Sequence, residues 1–312
     1  MLRHKTIRRE LKSFGVRLEV IIPNESKSAF DEIISNTFNF ICNGEPLNAK
    51  EREFKIIFSY GKNAIKLSSE SLTISENADF NQIGKDAADA TLKIFEREVN
   101  KLGIFSIHGA CVSCGENGTL ILGETGSGKT TTALKICILN DDVRFVTGNR
   151  VFLSGDAVIG GVSSINVRVG SIISEFRNAF PQIALNQHIK GADWEHRVYV
   201  QPKDVGVKIN QRYPLKLCNI IVVKKLPKNI DVKVVSENGN DEKFQLYDDI
   251  SRWGDRKPYL AGSSMHYPEI FTRNLKQMRL NQASQMLTNI PFLYINGRLD
   301  SMADHISKLI RA

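Results

Sequence analysis

One segment near the middle of the chain has the residue types and spacing that bind nucleotide phosphates. It fits the pattern G-x-x-x-x-G-K-[ST] without a mismatch and reads Gly123-Glu124-Thr125-Gly126-Ser127-Gly128-Lys129-Thr130. Glycines let successive backbone N–H groups point inward around phosphate oxygens, and the lysine places a positive charge against the terminal phosphates. The hydroxyl of Thr130 can ligate Mg²⁺, and Thr131 follows it as the last residue of the predicted binding set. The segment therefore predicts a site for a nucleoside triphosphate, with ATP and Mg²⁺ as the expected ligands.

The residues on either side of this loop have the pattern that a phosphate loop requires. Short apolar runs at 104–112 and 119–122 precede it, a helical stretch to about residue 139 follows, and 143–146 has the character of a further strand. A phosphate loop is built in the order strand, glycine-rich loop, helix, strand, and the helix N-terminus adds partial positive charge. A glycine-rich turn that binds nothing is the alternative interpretation.

Signatures of particular nucleotide-binding classes are missing from the sequence. There is no N-K-x-D segment, which disfavours a GTPase, although nothing else separates ATP from GTP. The strand after the predicted helix runs from Arg144 to Arg150 and has no carboxylate at its end, where one usually holds Mg²⁺ through water.

The segments around the loop resemble the HPr kinase/phosphorylase family. The resemblance rests on the loop itself and on five further segments, Ser106-Ile107-His108-Gly109-Ala110, Thr132-Ala133-Leu134, Arg144-Phe145-Val146, Ile159–Val167 and Ile290–Ile295. It covers about residues 103–170 and extends with fewer matches to 312. The resemblance implies a P-loop core related to phosphoenolpyruvate carboxykinase with a mixed sheet. It also implies phosphoryl transfer from a nucleotide to a hydroxyl, commonly a serine, and a homo-oligomer.

The chain departs from this family at the acidic half of the site. The family's paired aspartates fall on Gly148 and Asn149, and neither residue type can be a general base. Asp156 is the nearest carboxylate on a segment that we expect to pass near the loop. We therefore predict that Lys129 holds the triphosphate and that His108, Asn149 or Asp156 orients the acceptor hydroxyl.

Other polar residues near the loop each have two interpretations. His108 either contacts the phosphate or acceptor, or is a strand histidine with a satisfied hydrogen bond. Arg150 and Arg168 either neutralise charge on the transferring phosphoryl group or form structural ion pairs. The C-x-x-C from Cys111 to Cys114 has no second pair at zinc spacing, so structural cysteines are favoured over a metal or redox site.

The charge balance favours an anionic partner. The 312 residues include 42 Lys+Arg against 34 Asp+Glu, a net charge of +8. Residues 202–233 carry eight basic and two acidic side chains, and therefore most of this surplus. This run is either a solvated face or a surface for a phosphorylated or acidic substrate. Its one aromatic residue, Tyr213, disfavours a single-stranded nucleic-acid platform without ruling nucleic acid out.

The apolar pattern divides the chain into two α/β units. In residues 1–102, period-two alternation predicts strands at 16–20, 54–60 and 65–74, and a helix over 84–101 ends at Gly103. Residues 103–312 form the loop-bearing unit, with many short strands and a helical last forty residues. No apolar run approaches the roughly 18 residues of a membrane span. The five cysteines are scattered and the N-terminus lacks a signal-peptide pattern, so we expect a cytoplasmic protein without a membrane partner.

These features together predict an ATP-dependent kinase of α/β fold with Mg²⁺ held at Thr130. Its γ-phosphoryl group would pass to a hydroxyl of a small molecule or of a peptide or protein serine, the small molecule being slightly favoured. A nucleotide-binding sensor or partner-binding module without transfer is the alternative, motivated by Gly148 and Asn149. A nucleic-acid-stimulated ATPase, motivated by the basic run, is a third. The sequence names neither the acceptor nor the general base, and it leaves the role of residues 1–102 unassigned.

Overall fold

The computed structural model of the chain describes residues 4–38, 40–41, 51–162, 165–170, 197–200, 205–226, 232–236, 240–255 and 259–311. Within these ranges the chain forms a five-stranded sheet, a ten-stranded sheet, a separate strand pair and six α-helices. Both large sheets contain parallel and antiparallel pairs, so the predicted α/β class with mixed sheets is confirmed.

The first sheet belongs to the N-terminal unit and has the strand order β1-β2-β4-β6-β5. Its strands are β1 (Thr6–Ser13), β2 (Val16–Pro23), β4 (Arg52–Tyr60), β5 (Ala64–Leu67) and β6 (Ser71–Glu76). The three central strands are parallel, and the two edge strands are antiparallel to their neighbours. The predicted strands at 16–20 and 54–60 are thus confirmed, whereas the single strand predicted at 65–74 is wrong. That segment forms two antiparallel strands, β5 and β6, because the chain turns back at residues 68–70. The edge strand β1 was not predicted because charged residues interrupt its alternation and neither of its faces is fully buried.

Two helices pack on this sheet, α1 (Lys27–Thr37) and α2 (Phe80–Lys101). The Asp79 side chain accepts a hydrogen bond from the backbone N–H of Gln82 and caps the N-terminus of α2, and Gly103 follows its end with a positive φ of 74°. Even the charged Lys93, Glu96, Arg97 and Glu98 in the second half of α2 are buried, because this helix lies between the two sheets. Phe95 on α2 contacts Phe152 of the second unit, so the two units share a core.

The second sheet carries the loop. Its strands are β3 (Phe40–Ile41), β7 (Ile104–His108), β8 (Ala110–Cys114), β9 (Asn117–Leu122), β10 (Val143–Thr147), β11 (Arg150–Ser154), β12 (Ala157–Val162), β15 (Leu215–Lys225), β16 (Lys233–Ser236) and β17 (Phe292–Gly297). A separate pair is formed by β13 (Ile165–Arg168) and β14 (Arg197–Val200). Strands β9, β15 and β17 run parallel side by side, so their C-terminal ends lie at one edge of the sheet.

Four helices cover the faces of this sheet: α3 (Lys129–Leu139), α4 (Asn240–Asp255), α5 (Arg273–Asn289) and α6 (Leu299–Arg311). Helices α3 and α6 pack together over one core, and α4 and α5 over another. The helical C-terminal region predicted from the sequence is therefore confirmed. None of the helices in the described part of the chain is both long and apolar enough to cross a membrane.

Candidate functional site

The glycine-rich loop connects the C-terminal end of β9 to the first residue of α3, as predicted. Gly128 is the N-cap of α3 with a φ of 95°, and Gly123 begins the loop with a φ of 139°. A Cβ atom at Gly123 would lie 2.5 Å from the carbonyl oxygen of Val223 and 2.6 Å from Oγ of Ser127. Glycine is required at both positions because of the left-handed backbone and, at Gly123, the close approach of β15.

The side chain of Lys129 lies inside the curve of this loop and is hydrogen-bonded to its backbone. This side chain is buried, and Nζ donates hydrogen bonds to the carbonyl oxygens of Gly123 at 2.7 Å and Glu124 at 2.9 Å. The loop therefore already curves around the ammonium group, which brings the lysine charge to the N-terminus of α3. An anion bound there gains from both the charge and the helix dipole.

The side chain of Thr130 points to the end of β10. Its hydroxyl donates a hydrogen bond of 2.6 Å to the carbonyl oxygen of Gly148. This donation leaves the oxygen lone pairs for a cation, so Thr130 fits the role of a Mg²⁺ ligand. A Cβ atom at Gly148 would lie 2.7 Å from Cγ2 of Thr130 and 3.2 Å from Cζ of Phe145. The strand end that carries an aspartate in the resembling family thus has no room for a side chain here.

His108 and Asn149 lie at the same edge of the sheet as the loop. The backbone N–H of Gly109 donates to the carbonyl oxygen of Asn149 at 3.2 Å, which ties the end of β7 to the start of β11. A Cβ atom at Gly109 would lie 2.8 Å from Cδ2 of Leu122, the last residue before the loop. The structure therefore brings His108, Asn149, Lys129 and Thr130 together.

Asp156 does not join this group, and the expectation that its segment passes near the loop is wrong. Its carbonyl oxygen accepts a hydrogen bond of 2.8 Å from the backbone N–H of Leu217, and Ala157 pairs with Lys216. Lys216 in turn pairs with Asn117 at the start of β9, about 17 Å along the strand from the loop. The reason is the β11–β12 hairpin, whose turn lies at the opposite edge of the sheet.

The two arginines have different roles. Arg150 is buried, with Nη1 at 3.1 Å from Oε1 of Glu96 on α2, and the hydroxyl of Ser106 donates to the same carboxylate oxygen. Burial lowers the pKa of Arg150. Its interpretation as a structural ion pair is therefore the correct one. By contrast, Nη2 of Arg168 lies 3.7 Å from the position of a Cβ atom at Gly126, so this guanidinium group rests against the middle of the loop.

A cavity of about 410 Å³ opens beside the first half of the loop, and its lining includes polar residues of β17 and α4 that the sequence did not reveal as candidates. It is lined by Gly123, Glu124, Ser127, Val222, Val223, Lys224, Gln245, Asp248, Asp249, Tyr294 and Asn296. Asp248 is exposed and Asp249 is 2% exposed, both on α4. The buried Leu246 and Ile250 indicate a helix here, but only the parallel pairing of β15 with β17 brings that helix to the loop.

The basic run does not form one face. Lys216 and Lys225 occupy opposite ends of β15, about 30 Å apart along the strand. Lys208 pairs with Asp141 at 3.3 Å near the far end of α3. The members near the site are Lys224, which lines the cavity, and Lys225, whose backbone N–H donates to the carbonyl oxygen of Ser127 at 3.0 Å. Lys203 and Lys228 lie outside the described residues.

The C-x-x-C segment is structural. Cys111 is buried on β8, and burial raises the pKa of its thiol to about 12. Residues three apart on a strand point to opposite faces, so Cys111 and Cys114 cannot both bind one ion. Over the part of the chain that the structure describes, no three His, Cys, Asp or Glu side chains gather as a metal-binding group.

The fold and the loop define an α/β protein of mixed sheets with a glycine-rich strand–loop–helix site. No protein-family model matches the chain, and no curated protein matches its sequence. The function is therefore inferred from the geometry of the site.

Proposed function

We propose that this protein is an ATP-dependent phosphotransferase that transfers the γ-phosphoryl group to a hydroxyl of a small molecule or of a serine in a peptide. The observation that carries this proposal is the phosphate loop opening directly onto a polar cavity lined by three carboxylates, those of Glu124, Asp248 and Asp249. The loop has the means to hold the donor, and the cavity has space and chemistry for an acceptor. The resemblance to the HPr kinase/phosphorylase family supports the same reaction class.

The residues at the loop fit a nucleoside triphosphate bound with Mg²⁺. The amides of residues 124–130 and the N-terminus of α3 bind the phosphates, while Lys129 and Arg168 bring positive charge to them. Oγ of Ser127 is buried and, within the described residues, has no hydrogen-bond partner, which suits a hydroxyl that donates to a phosphate oxygen. Thr130 would hold Mg²⁺ together with the phosphates, and the ion would neutralise charge on the terminal phosphates.

His108 and Asn149 lie at the strand ends next to the loop. Both side chains are half-buried, and both have hydrogen-bonding capacity for a phosphate oxygen or an acceptor. In phosphoryl transfer most catalysis is positioning and charge neutralisation, so such residues contribute without acting as a base. We assign them to orienting the substrates. The cytoplasmic location and the homo-oligomer stay predictions.

The second candidate function is nucleotide binding without transfer. The packing at Gly148 favours it, because the site lacks a carboxylate at the strand end beside Thr130 and has no room for one. In this case ATP would hold the loop and its neighbours in one conformation that a partner recognises. The two candidates make the same prediction for ATP binding and opposite predictions for the fate of the γ-phosphate.

The test uses γ-labelled ATP and Mg²⁺ with mixtures of small metabolites and of serine peptides. We expect label in an acceptor and loss of both transfer and nucleotide binding in Lys129→Met. The matched control is Lys135→Met on the same helix, whose Nζ pairs with Asp300 of α6 at 2.8 Å. ATP binding by the wild type without label in any acceptor supports the binding module. Equal ATP affinity of Lys129→Met and Lys135→Met contradicts both.

A further inference from the structure

The cavity beside the loop has the size and position of a small-molecule site. Its volume of about 410 Å³ lies within the roughly 300–1,000 Å³ typical of ligand pockets. Its floor is the C-terminal ends of β15 and β17, the edge at which α/β sheets commonly bind ligands. Gly123, Glu124 and Ser127 form one wall, so a molecule in the cavity touches the loop.

The residues that line the cavity include both hydrogen-bond acceptors and hydrogen-bond donors. Carboxylates come from Glu124, Asp248 and Asp249, and an ammonium group comes from Lys224. Amides and hydroxyls come from the remaining polar residues, Ser127, Gln245, Tyr294 and Asn296. A ligand hydroxyl donates one hydrogen bond and accepts others, so a molecule with several hydroxyls matches this mixture. The two carboxylates on α4 repel a carboxylate or phosphate at the same place.

The hydrogen bond within the lining strengthens this match. The Tyr294 hydroxyl donates to Oε1 of Gln245 at 3.1 Å, which fixes the amide so that its N–H₂ group remains as a donor. Val222, which pairs with Tyr294, adds apolar surface at the floor, against which the C–H groups of a sugar ring pack. The cavity therefore offers oriented polar groups and an apolar floor, as sites for small polar molecules do.

We propose that this cavity is the acceptor site, that it takes a neutral polyol or sugar, and that Asp248 is the general base. This inference rests on the proposed phosphotransferase function. Asp248 is assigned because its side chain is exposed on the cavity side of α4, whereas Asp249 is 2% exposed. A base must reach the proton that it takes.

Phosphoryl transfer in this site involves the acceptor hydroxyl, the bound nucleotide and the Asp248 carboxylate. The acceptor oxygen forms a bond to the γ-phosphorus, and its proton passes to the Asp248 carboxylate. The bond between the γ-phosphorus and the β–γ bridging oxygen breaks, and the nucleoside diphosphate leaves with that electron pair. The carboxylate thus comes from α4 rather than from the end of β10, where Gly148 has no room for a side chain.

The first test measures binding without turnover. Wild-type protein saturated with a non-hydrolysable ATP analogue is heated with D-ribose, D-glucose or myo-inositol, and the unfolding temperature is recorded. We expect at least one of these compounds to raise it. Asn296→Ala should weaken that compound's binding tenfold or more, because a cavity donor and acceptor is lost, while Asp304→Asn on the exposed face of α6 should have no effect.

The second test measures transfer in Asp248→Asn, with Asp304→Asn as the matched control. We expect labelled phosphate to reach the bound polyol in the wild type and the control. In Asp248→Asn the rate should fall about 10²–10⁴-fold while affinity for the ATP analogue stays within about twofold. Loss of nucleotide affinity in Asp248→Asn would show that the cavity holds the nucleoside and would overturn the inference.

The remaining outcomes separate this inference from the proposed function. Label in a serine peptide but in none of the polyols overturns the polyol site and leaves the phosphotransferase standing. Another outcome is that a polyol binds, that Asn296→Ala abolishes this binding, and that no acceptor is labelled. This result supports the cavity as a polyol site and overturns phosphoryl transfer. A transfer rate unchanged in Asp248→Asn removes Asp248 as the base.

Discussion

Replacing Gly148 by alanine tests the packing that excludes a carboxylate from the end of β10. The new Cβ would lie 2.7 Å from Cγ2 of Thr130, about 1 Å inside the optimal carbon–carbon separation of roughly 3.5–4.0 Å. Gly148 does not have a positive φ, so its backbone accepts alanine. Overpacking costs about 1–3 kcal/mol, and the reduced entropy of the unfolded chain returns about 0.4–1 kcal/mol. We expect a net loss of about 1–2 kcal/mol.

The assay is reversible chemical unfolding of Gly148→Ala, Thr130→Ser and the double variant. Thr130→Ser removes the clashing methyl and keeps the hydroxyl that donates to the Gly148 carbonyl. The double variant should therefore recover part of the loss, with a coupling free energy of at least about 0.5 kcal/mol. Recovery is incomplete because Cζ of Phe145 still lies 3.2 Å from the new methyl. Wild-type stability of Gly148→Ala, or strictly additive effects in the double variant, would refute this reasoning.

Three further predictions concern a buried ion pair, an arginine at the loop and a buried carboxylate in the N-terminal unit. Glu96→Gln leaves the buried Arg150 without the carboxylate of Glu96, so the free energy of unfolding should fall by about 3–5 kcal/mol. The control Glu53→Gln, at an exposed ion pair, should lower it by less than about 1 kcal/mol. Equal losses in the two variants would contradict a stabilising role of the buried pair. Arg168→Ala should lower affinity for an ATP analogue about 10–100-fold in a fluorescence titration, since a charged hydrogen-bond donor at the loop is lost, and unchanged affinity would remove it from the site. Burial raises the pKa of Glu76 to about 7, so the folded state keeps a proton that the unfolded state releases above about pH 4.5. Stability should therefore fall by up to about 3 kcal/mol as pH rises from 4.5 through 7, and the same fall in Glu76→Gln would contradict this.

The parts of the protein that were predictable from the sequence are those encoded by neighbouring residues. The phosphate loop is one, because its glycines are needed for a local backbone conformation and its lysine folds back onto carbonyls only five and six residues away. Helix α2 is another, with a capping Asp79 at one end and Gly103 at the other. Alternating apolar residues likewise located β2 and β4.

The position of Asp156 was not predictable in this way. Its distance along the chain from the loop is modest, but the direction of the β11–β12 hairpin places it at the wrong edge of the sheet. The sequence also left Arg150 and Arg168 open as phosphate ligands or as members of ion pairs. Only the burial of Glu96 against Arg150 identified Arg150 as the member of an ion pair.

The sequence by itself determined that the chain is α/β and has, between a strand and a helix, a glycine-rich loop with the pattern of a phosphate loop. The tertiary structure decided what surrounds that loop: Arg168 at its middle, Gly148 against Thr130, and the Asp248 carboxylate across the cavity. Backbone conformation depends on adjacent residues and is visible in local spacing. The surroundings of a site depend on strand pairing and burial between segments far apart in the chain, and no local pattern records which segments will pair.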